Sequence, residues 1–222
     1  MFSIRRGWGT SSLRTKKIRS VARRDEQKAE LREKIFAAAR ELVLRKGFAE
    51  LSIRKLADEI GYAPGTIYLY FKNRDEIVRE ICVRGFAELF ERMKSAAEVV
   101  DPHARLAALL RAYADFAVNH PETYRLSFME DPKFTEEMFR SAPLEREGGP
   151  GWQAFSAVVK AVRDLKACRK LTRSENENLL AEVLWAGVHG VVSLKLIYPA
   201  FPTNSTEILV KKMINTLLSG LH

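Results

Sequence analysis

The chain has 222 residues, 46% of them hydrophobic, and carries a formal net charge of +9. That length allows one or two domains with a real apolar core. Two cysteines, Cys82 and Cys168, sit in apolar helical patterns, which argues against a disulfide framework and fits a reducing compartment. Neither lies near a histidine in sequence, so no zinc site is expected, and no cofactor. The most apolar run, Leu179 to Tyr198, contains Glu182, His189 and Lys195, each costly at membrane depth. It reads as a buried helix of a soluble protein with no membrane partner, and no window resembles a secretory signal.

The charge is unevenly placed. Residues 1–24 hold eight basic side chains and no acid, while the remainder holds 29 basic against 28 acidic. Such a segment buries no apolar surface, so residues 1–27 are expected to form a disordered basic tail. Four readings stay open for it: an arm drawn to phosphates, a solvated extension, residues from an upstream start codon, or a transit peptide.

Only helical periodicity follows, with no strand-like alternation and no repeat. Leu31, Ile35, Ala38, Ala39, Leu42 and Val43 mark a first helix to Lys46, ended by Gly47. Ser52 is a good N-cap for a second, with Ile53, Leu56, Ala57 and Ile60 on one stripe and Gly61 as its stop. Pro64 fits the first turn of a third helix running to about Phe71. Asn73 caps a fourth, with Asp75 and Glu76 in its first turn, running to about Met93. Further helices are expected over His103–Asn119, Pro121–Met129, from Asp131-Pro132 to before Gly148, Trp152–Cys168, Glu175–Ile197 and Thr206–Leu218.

The third helix carries the functional signal. At 100° per residue Ile67 and Phe71 share a face with Tyr70 beside them, while Gly65, Leu69 and Lys72 point away, flanked by Thr66 and Tyr68. Two short helices joined by a tight turn, the second with a small-residue start and an outward polar and aromatic rim, describe a helix-turn-helix over about 52–71. Gly65 permits close backbone approach, tyrosine hydroxyls donate to phosphate, and Lys72 and Arg74 suit flanking phosphates. An aromatic run of this kind is also ordinary core, and helix-turn-helix units occur in proteins that never touch DNA.

The stretch LSIRKLADEIGYAPGTIYLYFKNRDEI resembles the signature of the TetR (tetracycline-repressor-like) family of bacterial regulators, over about Leu31 to Leu89. The resemblance implies an all-α fold: a three-helix DNA-binding domain over residues 28–89, then a helical effector-binding and dimerisation domain over 90–222. It implies a homodimer, a bacterial cytoplasmic and nucleoid-associated setting, which disfavours the transit peptide, and a palindromic operator in double-stranded DNA. The DNA contacts it implies are Ser52, Arg54, Pro64, Gly65, Thr66, Tyr68, Leu69 and Tyr70, with Lys72 and Arg74 on the backbone. Leu69 departs from the polar or aromatic residue often found there.

The second domain says less. LWAGVHGVVSL and NHPETYRLSF resemble a subset of TetR-like C-terminal domains with a Trp-x-x-x-His-Gly signature, here Trp185, His189 and Gly190. These residues are either packing or the lining of an effector pocket with Tyr113, Phe116, Tyr124, Phe128 and Met129, taking an aromatic or acyl compound. Gly187 and Gly190 fit a close helix approach, either within one subunit or at a dimer interface formed by the last Trp152–Cys168 and Glu175–Ile197 helices. The resulting reading is a ligand-released repressor. Its competitors are a helical small-molecule carrier and a DNA binder without effector control, and no nucleophile–base cluster or phosphate-cradling glycine loop argues for an enzyme.

Overall fold

The computed structural model describes residues 10–129, 148–168, 176–201 and 203–220, with side chains from residue 21 onward. The described residues contain helices and turns and no strand. They fall into two compact units, Met1–Ile77 and Val78–His222, so the division comes earlier than the expected boundary after residue 89.

The first unit holds α1 (Thr10–Lys46), a 3-10 turn (Phe48–Glu50), α2 (Ile53–Ile60), α3 (Pro64–Tyr68) and the start of α4 (Arg74–Ala97). In α1 the residues Ile35, Phe36, Ala39, Leu42 and Val43 are buried, the helical stripe expected of them. Gly47 ends α1 at φ 82°, a left-handed value that favours glycine. The expected disorder of residues 1–27 is corrected from Thr10 onward, where α1 already runs. Residues 10–30 contain no glycine or proline and are rich in Arg, Lys, Glu, Gln and Ala, which propagate a helix once the packed half has nucleated it. Residues 21–30 are exposed throughout, and residues 1–9 lie outside the described residues.

Capping sets the next two helices. The Ser52 hydroxyl accepts from the Lys55 N–H at 3.2 Å, and Gly61 closes α2 at φ 72°. Pro64 opens α3, which ends at Tyr68, a turn short of the expected Phe71, although the Phe71 N–H still reaches the Ile67 carbonyl at 3.0 Å. The chain must leave the helix there to cap α4. Asn73 Oδ1 accepts from the Glu76 N–H at 2.9 Å, and Glu76 Oε2 accepts in return from the Lys72 N–H at 2.6 Å. Both orphan donors are thus satisfied reciprocally.

The second unit holds most of α4, then α5 (Pro102–Asn119), α6 (Pro121–Phe128), α7 (Pro150–Ala167), α8 (Glu177–Ile197) and α9 (Thr206–Ser219). The helix expected from Asp131-Pro132 lies outside the described residues. Asp101, Asn176 and Ser205 cap α5, α8 and α9 with their side-chain oxygens. Helix α5 is central, packing against α6, α7, α8 and α9. Arg105 ties it down, donating to the Val99 carbonyl at 2.7 Å, to the Val100 carbonyl at 3.0 Å and to Asp164 of α7 at 2.6 Å.

Helix α8 is long and apolar enough to cross a membrane, but Leu180, Ala181, Leu184, Val188 and Val192 are buried inside the unit. A Cβ on Gly187 would stand 2.7 Å from Leu217 of α9. Gly187 therefore serves close packing within the subunit, one of its two expected roles, while Gly190 has nothing within 4 Å. The outer side of α7 carries Lys160 and Arg163, paired with Asp164 and Glu177 in the same unit, and the half-exposed Trp152. Cys82 is buried and Cys168 exposed, and neither is in a disulfide.

Candidate nucleic-acid interface and effector cavity

The α2–α3 surface divides sharply by burial. Ile67 and Phe71 are 0% and 1% exposed and anchor α3, whereas Tyr68 and Leu69 are 56% and 74% exposed. Arg54, Pro64, Gly65 and Lys72 are also exposed, and Thr66 and Tyr70 are half-buried. No atom lies within 4 Å of where a Gly65 side chain would begin, so nothing inside the chain requires glycine there. This leaves a short helix with an outward face of one glycine, one tyrosine and one leucine between two cations. Such a face offers ring, methyl and hydroxyl contacts and close backbone approach to a groove.

Arg74 does not join that face. Its Nε donates to the Leu51 carbonyl at 2.9 Å and its Nη2 to the Phe48 carbonyl at 3.2 Å, with the guanidinium 3.7 Å above the Phe48 ring. The expected phosphate contact is corrected to an internal clamp, because a planar fork with two carbonyls and an aromatic face within reach is best satisfied there. The Ser52 hydroxyl is likewise engaged in its cap.

In the second unit a cavity of about 520 Å³ is lined by Phe86 of α4, Phe128 of α6, Gly151, Trp152 and Phe155 of α7, and Glu182, Trp185, Ala186 and His189 of α8. Ring contacts make its wall continuous: Phe86–Phe128 at 5.4 Å, Phe128–Trp185 at 6.4 Å and Phe155–Trp185 at 5.6 Å between centroids. Behind His189 lies a polar cluster. His189 Nδ1 is 2.8 Å from the Tyr113 hydroxyl and 2.6 Å from the Tyr124 hydroxyl, which are 3.3 Å apart. Burial pushes the His189 imidazolium down from its ordinary 6.5, Tyr124 up to about 12 and Tyr113 well above 10, so all three are neutral near pH 7. A second hollow of about 800 Å³, with Arg92, Arg111 and Asp115 among alanines, has no aromatic lining and none of the expected effector residues.

Residues 35–81 match the description bacterial regulatory proteins, tetR family, and residues 106–217, half of the chain, match tetracyclin repressor-like, C-terminal domain. The chain belongs to the TetR family of bacterial regulatory proteins. It is a DNA-binding transcriptional regulator. An uncharacterised HTH-type transcriptional regulator of Haemophilus influenzae is 47% identical over 62 residues, 28% of this chain and 33% of that relative's length. The HTH-type transcriptional regulator Rv1816 of Mycobacterium tuberculosis is 25% identical over 199 residues, 79% of this chain and 85% of its own. The crystal structure of the transcriptional regulator FadR from Bacillus subtilis in complex with stearoyl-CoA shares the fold at a TM-score of 0.68 and 16% identity, covering 85% of this chain and 98% of that one.

The TetR-family cavity gathers some expected residues and not others. Phe128, Trp185 and His189 line it, and Tyr113 and Tyr124 stand behind His189. Phe116 does not: it is 1% exposed and stacks on His120 at 5.2 Å. Met129, the C-cap of α6, packs on the core and is not among the lining residues. Sequence reasoning missed Phe86, Gly151, Trp152, Phe155, Glu182 and Ala186. Glu182 alone had a signal, as a carboxylate in an apolar helix at i, i+7 from His189. Among the described residues no group of three His, Cys, Asp or Glu is placed to hold a metal.

His189 gives a pH prediction with a fixed sign. Its folded-state pKa is depressed by burial, so between that value and the unfolded 6.5 the unfolded chain binds more protons. Stability is full above about pH 6.5 and is expected to fall as pH drops below it. Thermal melts from pH 8 to 5 should show this loss in the native chain and a smaller one in His189→Gln. Equal losses in both would place the titration elsewhere.

Proposed function

We propose that this TetR-family regulator is a homodimeric repressor, released from a palindromic operator when a small molecule fills the aromatic cavity. The observation that carries the proposal is Phe86: a residue of α4 forms part of the cavity wall, and the same continuous helix begins at Arg74, which clamps the loop before α2. A ligand touching Phe86 acts on the helix that leads into the DNA-reading head. To release DNA it must bind the displaced state of α4 better than the DNA-bound one.

The reading assigns DNA contacts to Arg54, Pro64, Gly65, Thr66, Tyr68, Leu69, Tyr70 and Lys72, with Ser52 holding α2 in place. It assigns the dimer interface to the outer stripe of α8. Leu179, Val183 and Ile197 recur there at helical spacing and are 56%, 50% and 52% exposed, with Tyr198, Phe201 and Ile208 exposed beyond them. A family of soluble bacterial regulators works in the cytoplasm, here at the nucleoid.

The test is selection of the purified protein on random duplex DNA, then anisotropy of any enriched sequence across a salt series. An enriched palindrome is expected, two half-sites about one helical turn apart. Salt-dependent binding with no enriched motif would leave phosphate attraction alone and overturn the repressor reading. A second variant tests the cavity. A Cβ on Gly151 would make ordinary contact with the Phe86 ring at 3.5 Å, so Gly151→Leu projects into the cavity. That variant is expected to bind operator normally and resist every inducer, and an inducible Gly151→Leu protein would remove the cavity from the mechanism.

A further inference from the structure

We propose that the cavity selects a lipophilic organic cation, held by its aromatic wall and by the Glu182 carboxylate. The inference rests on the reading of this cavity as the effector site and concerns only what the site takes. Among the described lining residues five are aromatic, Phe86, Phe128, Trp152, Phe155 and Trp185, and one, Glu182, carries fixed charge. Among the described residues Glu182 forms no ion pair, and none of those lining the cavity is an arginine or lysine.

Ring faces attract cations through their quadrupole, Trp most strongly, and the attraction grows as the cation loses water. A carboxylate at the mouth adds a term of the same sign. The remaining polar group points the same way: His189, its Nδ1 beside two tyrosine hydroxyls, is kept neutral by burial and does not repel a positive guest. An anionic amphiphile meets the opposite site. Among the described lining residues its carboxylate or phosphates would find no cationic partner and one carboxylate of like charge. The second hollow, which holds Arg92 and Arg111, has no rings to take an apolar body.

On α8, Glu182, Trp185 and His189 occupy one side and the exposed apolar stripe of Leu179, Val183 and Ile197 the neighbouring side, about 60° or more around the helix axis. The carboxylate therefore lies where the cavity face meets the surface assigned to the partner copy. A second copy seated on that stripe would reduce the water around Glu182 and strengthen its hold on a cation.

Tetraphenylphosphonium and tetraphenylborate provide the test, because they share a shape and differ in charge sign. In a Trp8→Phe background, tryptophan fluorescence comes from Trp152 and Trp185, both in the cavity wall. Tetraphenylphosphonium is expected to quench it saturably and to bind at least about tenfold more tightly than tetraphenylborate. Glu182→Gln, at an exposed position, should melt like the parent and weaken the cation about tenfold, more at low salt than at high. Gly151→Leu should abolish the quenching.

Equal or tighter binding of tetraphenylborate, or of stearoyl-CoA, would overturn the cation inference, and if Gly151→Leu still blocked it the effector cavity would stand. An absence of any quenching by tetraphenylphosphonium would overturn the inference as well. Quenching by the cation that survives Gly151→Leu would overturn both the inference and the cavity reading beneath it.

Discussion

Replacing Arg74 with alanine is expected to destabilise the first unit by about 3 kcal/mol, the cost of leaving two buried-loop carbonyls without a charged donor and stripping a cation from a ring face. Leu51 and Phe48, whose carbonyls lose the guanidinium, are 2% and 8% exposed, and of the two the Phe48 carbonyl keeps the Leu51 N–H at 3.0 Å. The clamp also fixes the loop that presents Ser52 as the cap of α2. Arg74→Lys should recover little, since a single ammonium cannot span both carbonyls in the plane of the fork. Urea unfolding followed by tyrosine fluorescence reads the loss directly. A midpoint unchanged in Arg74→Ala would return the side chain to the phosphate contact that its sequence position first implied.

Tyr68→Ala is expected to weaken operator binding by about 1–3 kcal/mol, tenfold to more than a hundredfold in Kd, while the dimer and the melting temperature stay as they were. The asymmetry follows from exposure: the ring is 56% exposed in the free protein and supports no core contact, unlike Ile67 one residue before it. Gly65→Ala is the companion. Because the space beside Gly65 is open, the methyl group costs the free protein nothing and adds helix propensity. Weaker operator binding in Gly65→Ala can then only report a backbone pressed against DNA. Anisotropy on the selected operator, beside sedimentation of each variant, separates these outcomes. Unchanged affinity in both variants would move the recognition surface away from α3.

The local signals of the reading head were legible because each is written within a few residues. Ser52, Gly61 and Asn73 act as caps and stops where short-range chemistry placed them, and the 100° wheel sorted Ile67 from Leu69. Arg74 was misread because its partners, at Phe48 and Leu51, are supplied by a loop folding back. The basic segment was misread from Thr10 onward because charge composition argued for disorder, whereas helix continuity with a packed half overrode it. In the second unit periodicity identified buried faces but not their neighbours. Phe116 and Phe128 look alike on that measure, yet one stacks on His120 and the other lines the cavity. The Tyr113–Tyr124–His189 cluster spans three helices, and no spacing rule joins residues so far apart.

The two cysteines have a practical consequence. Cys82 is 0% exposed and Cys168 stands in solvent at the end of α7. A nitroxide reagent therefore finds a single accessible thiol on each natural chain, with no residue added or removed. A lone subunit so labelled gives no dipolar modulation in a pulsed electron resonance experiment, whereas a two-fold pair gives one distance. The unaltered protein thus carries its own ruler for whether copies associate, and for whether the ends of α7 draw apart when the cavity is filled.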